Sequence, residues 1–166
     1  MPKVVFGVTS GSSVQLLGEL PHEIAHRGWQ VHVVSGTPSI KPSSAEKETV
    51  NFHVIPMVRE PELLRDVQSL LRWWVFLAEV RPDVLSVGTP KASLLGLLVG
   101  WLLRIPVRVY VLRGFRAETL TGYRYAVFAV AEKPTAGLAT VVQAVSPSLQ
   151  RVYLDKKLTS QKKISY

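Results

Sequence analysis

Strands alternating with helices along the whole chain predict an α/β fold: a parallel sheet with helices on both faces. Three observations carry that prediction. Short Val-rich runs recur at 3–8, 30–35, 50–57, 83–87, 107–112 and 140–145. Longer segments with helical periodicity fill most of the gaps between them. Of the 166 residues, 47% are hydrophobic and 19% charged, which is enough apolar material for one packed domain.

The elements follow in order. The first strand, 3–8, runs into Thr9-Ser10-Gly11-Ser12-Ser13, a polar turn leading to a helix over 13–27. Gly28 ends that helix, and 30–35 is the second strand. Residues 36–48 are polar with two prolines and form a loop before the third strand, 50–57. Pro61 begins a long helix that stops before Pro82. On a helical projection Leu63, Leu64, Val67, Leu70, Leu71, Trp74, Val75, Leu77 and Ala78 share one broad arc, the expected core face. Glu62, Arg65, Ser69, Arg72 and Glu79 lie opposite. Phe76 sits among them as a single exposed aromatic, and Trp73 falls at the border. Strand four is 83–87. A helix over 91–104 ends at Pro106, strand five is 107–112, and a helix over 119–133 is expected to break at Pro134. Strand six is 140–145. Ser146 and Pro147 then supply an N-cap and a first-turn proline for the last helix.

The totals bound the function. A net charge of +8 suits an anionic partner such as a nucleotide, a lipid phosphate or an anionic membrane surface. Nucleic acid is not expected: there is no basic helix with base-reading spacing and no interleaved aromatic platform. The absence of cysteine removes disulfides and thiolate metal sites and fits a reducing cytoplasm. No signal peptide is visible, and the longest apolar stretch, 94–103, is too short to span a bilayer. The chain is expected to be soluble or peripheral.

In folds of this class ligands sit beyond the carboxyl ends of the strands. Four patterns fall there or nearby. Gly11, Ser12 and Ser13 follow strand one, where backbone N–H groups can cradle an anion. The segment lacks the Lys-Ser/Thr pair of a P-loop. Strand two ends in Ser35 rather than an acidic residue, which disfavours NAD. His22-Glu23-Ile24-Ala25-His26 matches H-E-x-x-H, but no third ligand follows, so exposed histidines are expected and no metal. Thr89 and Pro90 cap the next helix, and Lys91 stands near its positive terminus, an unfavourable place unless an anion is held there. Arg113, Gly114, Arg116 and Glu118 follow strand five, with two guanidiniums suited to phosphate or carboxylate and a carboxylate that can orient one of them. Ser146 lies on the same edge.

Four stretches together resemble a known family. They are Thr89-Pro90-Lys91-Ala92-Ser93-Leu94-Leu95-Gly96, Ile105-Pro106-Val107-Arg108-Val109-Tyr110, Arg113-Gly114-Phe115-Arg116 with Glu118, and Ala144-Val145-Ser146-Pro147-Ser148-Leu149. They are similar to the amino-terminal half of family 4 glycosyltransferases of the GT-B fold, of the type that assembles bacterial capsule, exopolysaccharide and O-antigen. The segment Arg27-Gly28-Trp29-Gln30-Val31-His32-Val33-Val34 resembles the approach to that family's second strand. The resemblance implies a Rossmann-like domain over 1–166 that holds the acceptor. It also implies a retaining transferase that moves a sugar from a nucleotide-sugar donor to a polyprenyl-diphosphate-linked or other glycan acceptor at the inner membrane face. No metal or other cofactor is implied. A carboxy-terminal domain, which in the family binds the nucleotide and carries a paired-glutamate motif, is absent from these 166 residues, so the chain alone is expected to turn over poorly. Many members carry a His where Arg113 stands. The residues also leave a second reading open: a non-catalytic module that binds anions or a membrane, or docks on a separate donor-binding domain, through Phe76, Trp73 and its basic surface.

Overall fold

The computed structural model describes residues 1–38, 49–57, 62–114 and 122–166, with backbone alone over 122–129. Its strands are β1 (Lys3–Gly7), β2 (Gln30–Ser35), β3 (Val50–Val54), β4 (Val84–Val87), β5 (Val107–Leu112), β6 (Val141–Ala144) and β7 (Ile164–Ser165). All pair in parallel, in the order β3-β2-β1-β4-β5-β6-β7. The helices are α1 (Leu20–His26), α2 (Leu63–Val80), α3 (Pro90–Leu102), α4 (Gly122–Leu138) and α5 (Pro147–Asp155). This is the Rossmann-like α/β architecture that the alternation predicts.

The two faces are covered unequally. Residues of α2, α3, α4 and α5 share one large core with Val5, Val34, Leu85, Tyr110 and Val142 of the sheet. On the other face a 3₁₀ turn, Gly11–Leu17, and α1 pack over Val4, Phe6, Val31, Val33 and Val50. That second layer stops short of the far strands, where Val107, Val141 and Val145 stay exposed.

Three sequence expectations need correction. The 13–27 segment is not one helix: Gly18, at φ +54°, separates the 3₁₀ turn from α1. Pro21 falls in the first turn of α1, where a missing N–H costs no helical bond. Pro134 does not end α4, which continues to Leu138. Pro134 and Val130, whose carbonyl an N–H at 134 would have bonded, both lie on the exposed side of the helix, where a freed carbonyl costs least.

The third correction concerns which side of α2 is inside. Ser69, Trp73 and Leu77 are buried, flanked by Leu70, Phe76 and Val80, while Leu63, Leu64, Val67, Leu71, Trp74 and Val75 face solvent. Trp73 decides this. Its ring occupies a slot floored by two glycines: a Cβ at Gly7 would lie 2.9 Å from its Cη2, and one at Gly96 3.7 Å away. Its indole N–H donates to the Met57 sulfur at 3.4 Å. The Ser69 hydroxyl lies 2.6 Å from the Pro56 carbonyl and 2.8 Å from the Arg65 carbonyl, so this polar group is satisfied inside. Phe76 is no stray aromatic, since its ring packs against His32, His53 and Trp73.

His32 and His53 share a hydrogen bond of 2.9 Å between β2 and β3. Burial lowers the pKa of His32, helped by His53 and Lys3; burial also lowers that of His53, against the pull of Glu79. Two predictions follow from this packing. Gly7→Ala puts a methyl 2.8 Å from Val87 Cγ1 and is expected to cost about 1–3 kcal/mol, read as a lower urea midpoint at unchanged slope. The folded imidazoles bind protons less readily than unfolded ones, so the unfolded chain takes up more protons below about pH 6.5 and stability rises with pH through that window. The urea midpoint at pH 5.5 is therefore expected below that at pH 7.5, with a smaller difference in His53→Gln.

Candidate functional site

The carboxyl ends of β1, β4 and β5 form the middle of one edge, and Thr9 organises it. The Thr9 N–H donates to Thr89 Oγ1 at 2.7 Å, and the two hydroxyls lie 2.7 Å apart. Thr9 Oγ1 also accepts from the Ala92 N–H at 3.3 Å. Thr89 does hold the N-cap position of α3, with Pro90 next, but its own side chain makes no capping bond. The third residue of the helix is instead capped from β1's loop, across the sheet.

The loop after β1 offers hydroxyls more than amides. The Val8 N–H donates to the Val34 carbonyl, the Gly11 N–H to Thr37 Oγ1 at 2.9 Å, and the Ser13 N–H to the Ser10 carbonyl. Together with Thr9, these engaged amides limit the anion cradle expected at Gly11, Ser12 and Ser13. The outward chemistry is a hydroxyl cluster: Ser10 Oγ lies 3.1 Å from Ser12 Oγ and 2.8 Å from Ser13 Oγ. Hydroxyls of this kind both donate and accept, which suits a polyol.

Lys91 turns to α2. Its Nζ lies 2.7 Å from Asp66 Oδ1, with its side chain only 10% exposed. The other Asp66 oxygen accepts from the Glu62 N–H at 3.1 Å. The lysine's awkward place at a helix amino terminus is thus compensated by a protein carboxylate, which ties α3 to the first turn of α2.

Arg113 is different. Its Nε lies against the β4 terminus, where a Cβ at Gly88 would be 3.0 Å away. That nitrogen is buried and has no hydrogen-bond partner among the described residues. Burial lowers the guanidinium's pKa, yet the group stays charged at neutral pH. A buried donor without an acceptor is costly. Gly114 beside it is exposed with open space at its Cα. Arg116 and Glu118 lie outside the described residues.

Ser146 caps α5, its Oγ accepting from the Leu149 N–H at 3.2 Å, and it also lies 2.9 Å from Ser148 Oγ. Beside the hydroxyl cluster opens a cleft of about 470 Å³, lined in part by Gly11, Ser12, Gln15, Glu19, His22 and Phe52. An aromatic residue lining one cleft with amide, carboxyl and imidazole residues is chemistry that fits a sugar ring, with its apolar face and its rim of hydroxyls. Of these, Gln15, Glu19 and Phe52 carry no signal in the sequence, because nothing in local spacing brings β3 beside the 3₁₀ turn, and His22 draws notice there only as a possible metal ligand. His22 and His26 lie on α1, and no cluster of three His, Asp or Glu side chains forms among the described residues.

A further polar group escapes sequence patterns. Glu132 of α4 is buried and accepts from Tyr110 of β5 at 2.9 Å and Tyr153 of α5 at 2.6 Å. Burial raises its pKa, while the two hydroxyl donors act the other way. This group lies within the core.

The glycosyl transferase 4-like domain family model matches residues 11–162. The chain belongs to that family. The capsular polysaccharide biosynthesis glycosyltransferase CapM of Staphylococcus aureus is 32% identical over 98% of this chain, which spans 42% of that protein. Sucrose-phosphate synthase of Thermosynechococcus elongatus shares the fold at TM-score 0.71 and 13% identity, over 99% of this chain and 47% of that one. MnaA of S. aureus, solved with UDP, does so at TM-score 0.72 and 12% identity, over 99% and 44%. The chain therefore spans less than half the length of these relatives. No helix among the described residues is long and apolar enough to cross a membrane.

The cross-sheet cap gives a direct test. Thr9→Ala is expected to lower stability by about 0.5–2 kcal/mol and Thr9→Ser to restore most of it, measured by urea unfolding.

Proposed function

We propose that this chain is the acceptor-side domain of a retaining glycosyltransferase in bacterial cell-surface polysaccharide synthesis. The whole enzyme would move a sugar from a nucleotide-sugar donor to a polyprenyl-diphosphate-linked or other glycan acceptor. A second, carboxy-terminal domain would bind the donor. The nucleotide sugar is a substrate, and no metal or other cofactor is called for. The protein would work in the cytoplasm, peripherally on the inner membrane face.

The observation that carries this reading is the buried Arg113 Nε beside the end of β4, which has no hydrogen-bond partner among the described residues. A guanidinium there is suited to grip two diphosphate oxygens with parallel bonds. Gly114 leaves room for the approach, and Arg116 and Glu118 would complete the grip. Ser12, Ser13 and Gly11 would meet the acceptor's hydroxyls, with Phe52 stacking on a sugar face. Thr89, Lys91 and Ser146 would act by holding the helix termini that shape the edge, since each is engaged within the protein. Membership in the family and the likeness to CapM support the transferase class.

The test is calorimetric titration with farnesyl-diphosphate-linked N-acetylglucosamine. Arg113→Gln is expected to weaken binding at least about tenfold, or about 1.4 kcal/mol, and Arg113→Lys by less. Equal affinity in Arg113→Gln, or no binding by the parent, would overturn the reading.

A further inference from the structure

α2 carries its most hydrophobic stripe on the outside. Leu63, Leu64, Val67, Leu71, Trp74 and Val75 are 41–82% exposed, and at 100° per residue they lie within about 120° of the helix surface. The opposite side is fixed in the core by Trp73, Phe76 and Leu77. The stripe is therefore displayed rigidly and needs no rearrangement to meet a partner. Single exposed apolar residues are ordinary, but six on one helix mark an interaction surface.

We infer that this face of α2 docks on a lipid bilayer bearing anionic headgroups, with the helix lying in the plane of the interface. Charge argues for an anionic bilayer over a second copy of the chain, since a second copy carries the same +8. From Leu63 to Val75 the stripe is about 18 Å long and about 10 Å wide. A bilayer accepts such a long narrow apolar stripe to a depth of a few ångströms. Arg65 and Arg72 are exposed on the polar side of the helix, about 60–80° past the stripe's edge and beyond the exposed Glu79, and their long stems let the charges reach headgroups. Arg65 also pairs with Glu62 at 3.1 Å, an exposed contact that a phosphate can replace. Trp74 has the apolar body and polar N–H that favour the water–lipid boundary. The chain's charge of +8 draws it to such a surface from a distance.

This deepens the peripheral placement proposed above and rests on it. The assay contains no sugar substrate, so docking can fail while acceptor binding stands, and the reverse. The chain is sedimented with vesicles of phosphatidylethanolamine and phosphatidylglycerol at 3:1, and with pure phosphatidylcholine. It is expected to pellet with the first several-fold more than with the second, and less so in 0.5 M salt. The double variant Leu71→Glu, Trp74→Glu, both at exposed positions, is expected to keep its urea midpoint and lose at least about tenfold in vesicle affinity. Brominated lipids should quench the parent's tryptophan emission more than that of Trp74→Phe, which tests the contact without a disruptive change. Unaltered sedimentation of the double variant, or equal quenching of parent and Trp74→Phe, would overturn the inference. A dimer seen by light scattering that the double variant dissolves, with no vesicle binding, would replace the lipid by a second copy.

Discussion

The seating of Trp73 in a glycine-floored slot governs how the rest of the molecule is arranged. A ring of that size fits between α2, β1 and α3 only because Gly7 and Gly96 carry no side chain. Burying it is a large term: truncating such a residue costs about 3–5 kcal/mol. Once the ring is in place the rotation of α2 is settled. Ser69 and Leu77 come inward with it, one turn to either side, and Phe76 meets the histidine pair between β2 and β3. The same rotation sets Asp66 opposite Lys91, so the amino end of α3 is held from two sides, by a carboxylate of α2 and by the Thr9 hydroxyl of β1. The edge where the candidate site lies is thus positioned by a packing event deep in the core.

Much of this was legible beforehand. Val-rich runs and Gly and Pro punctuation were enough for the parallel sheet and its edge, because hydrophobic period and chain breakers are local signals. Ser146 is an N-cap followed by a first-turn proline, as its motif predicts. The phase of α2 was not legible. Six of the nine apolar side chains expected on the core face lie outside, and the glycines of β1 and α3, remote in sequence, are what show where the tryptophan goes. Lys91 misled for a related reason: its compensating carboxylate stands 25 positions earlier, on another helix. The cross-strand role of Thr9 and the company of Phe52 beside the 3₁₀ turn depend on the strand order, which periodicity does not encode.

Electrostatics at the edge follow the same logic of local compensation. Of the cations that the motifs brought forward, Lys91 is neutralised within the fold, whereas Arg113 has a buried donor with no acceptor among the described residues. The loop after β1 has most of its amides engaged and presents hydroxyls. A ligand with one anionic group and several hydroxyls matches that division better than a bare phosphate does.

The Glu132 clasp has a consequence for how the molecule comes apart. One carboxyl receives both tyrosine hydroxyls, and those tyrosines belong to β5 and α5 while the acid belongs to α4. Freeing any one of the three segments strands polar atoms of the other two without water, so partial detachment is penalised. The clasp therefore couples β5, α4 and α5 against local opening.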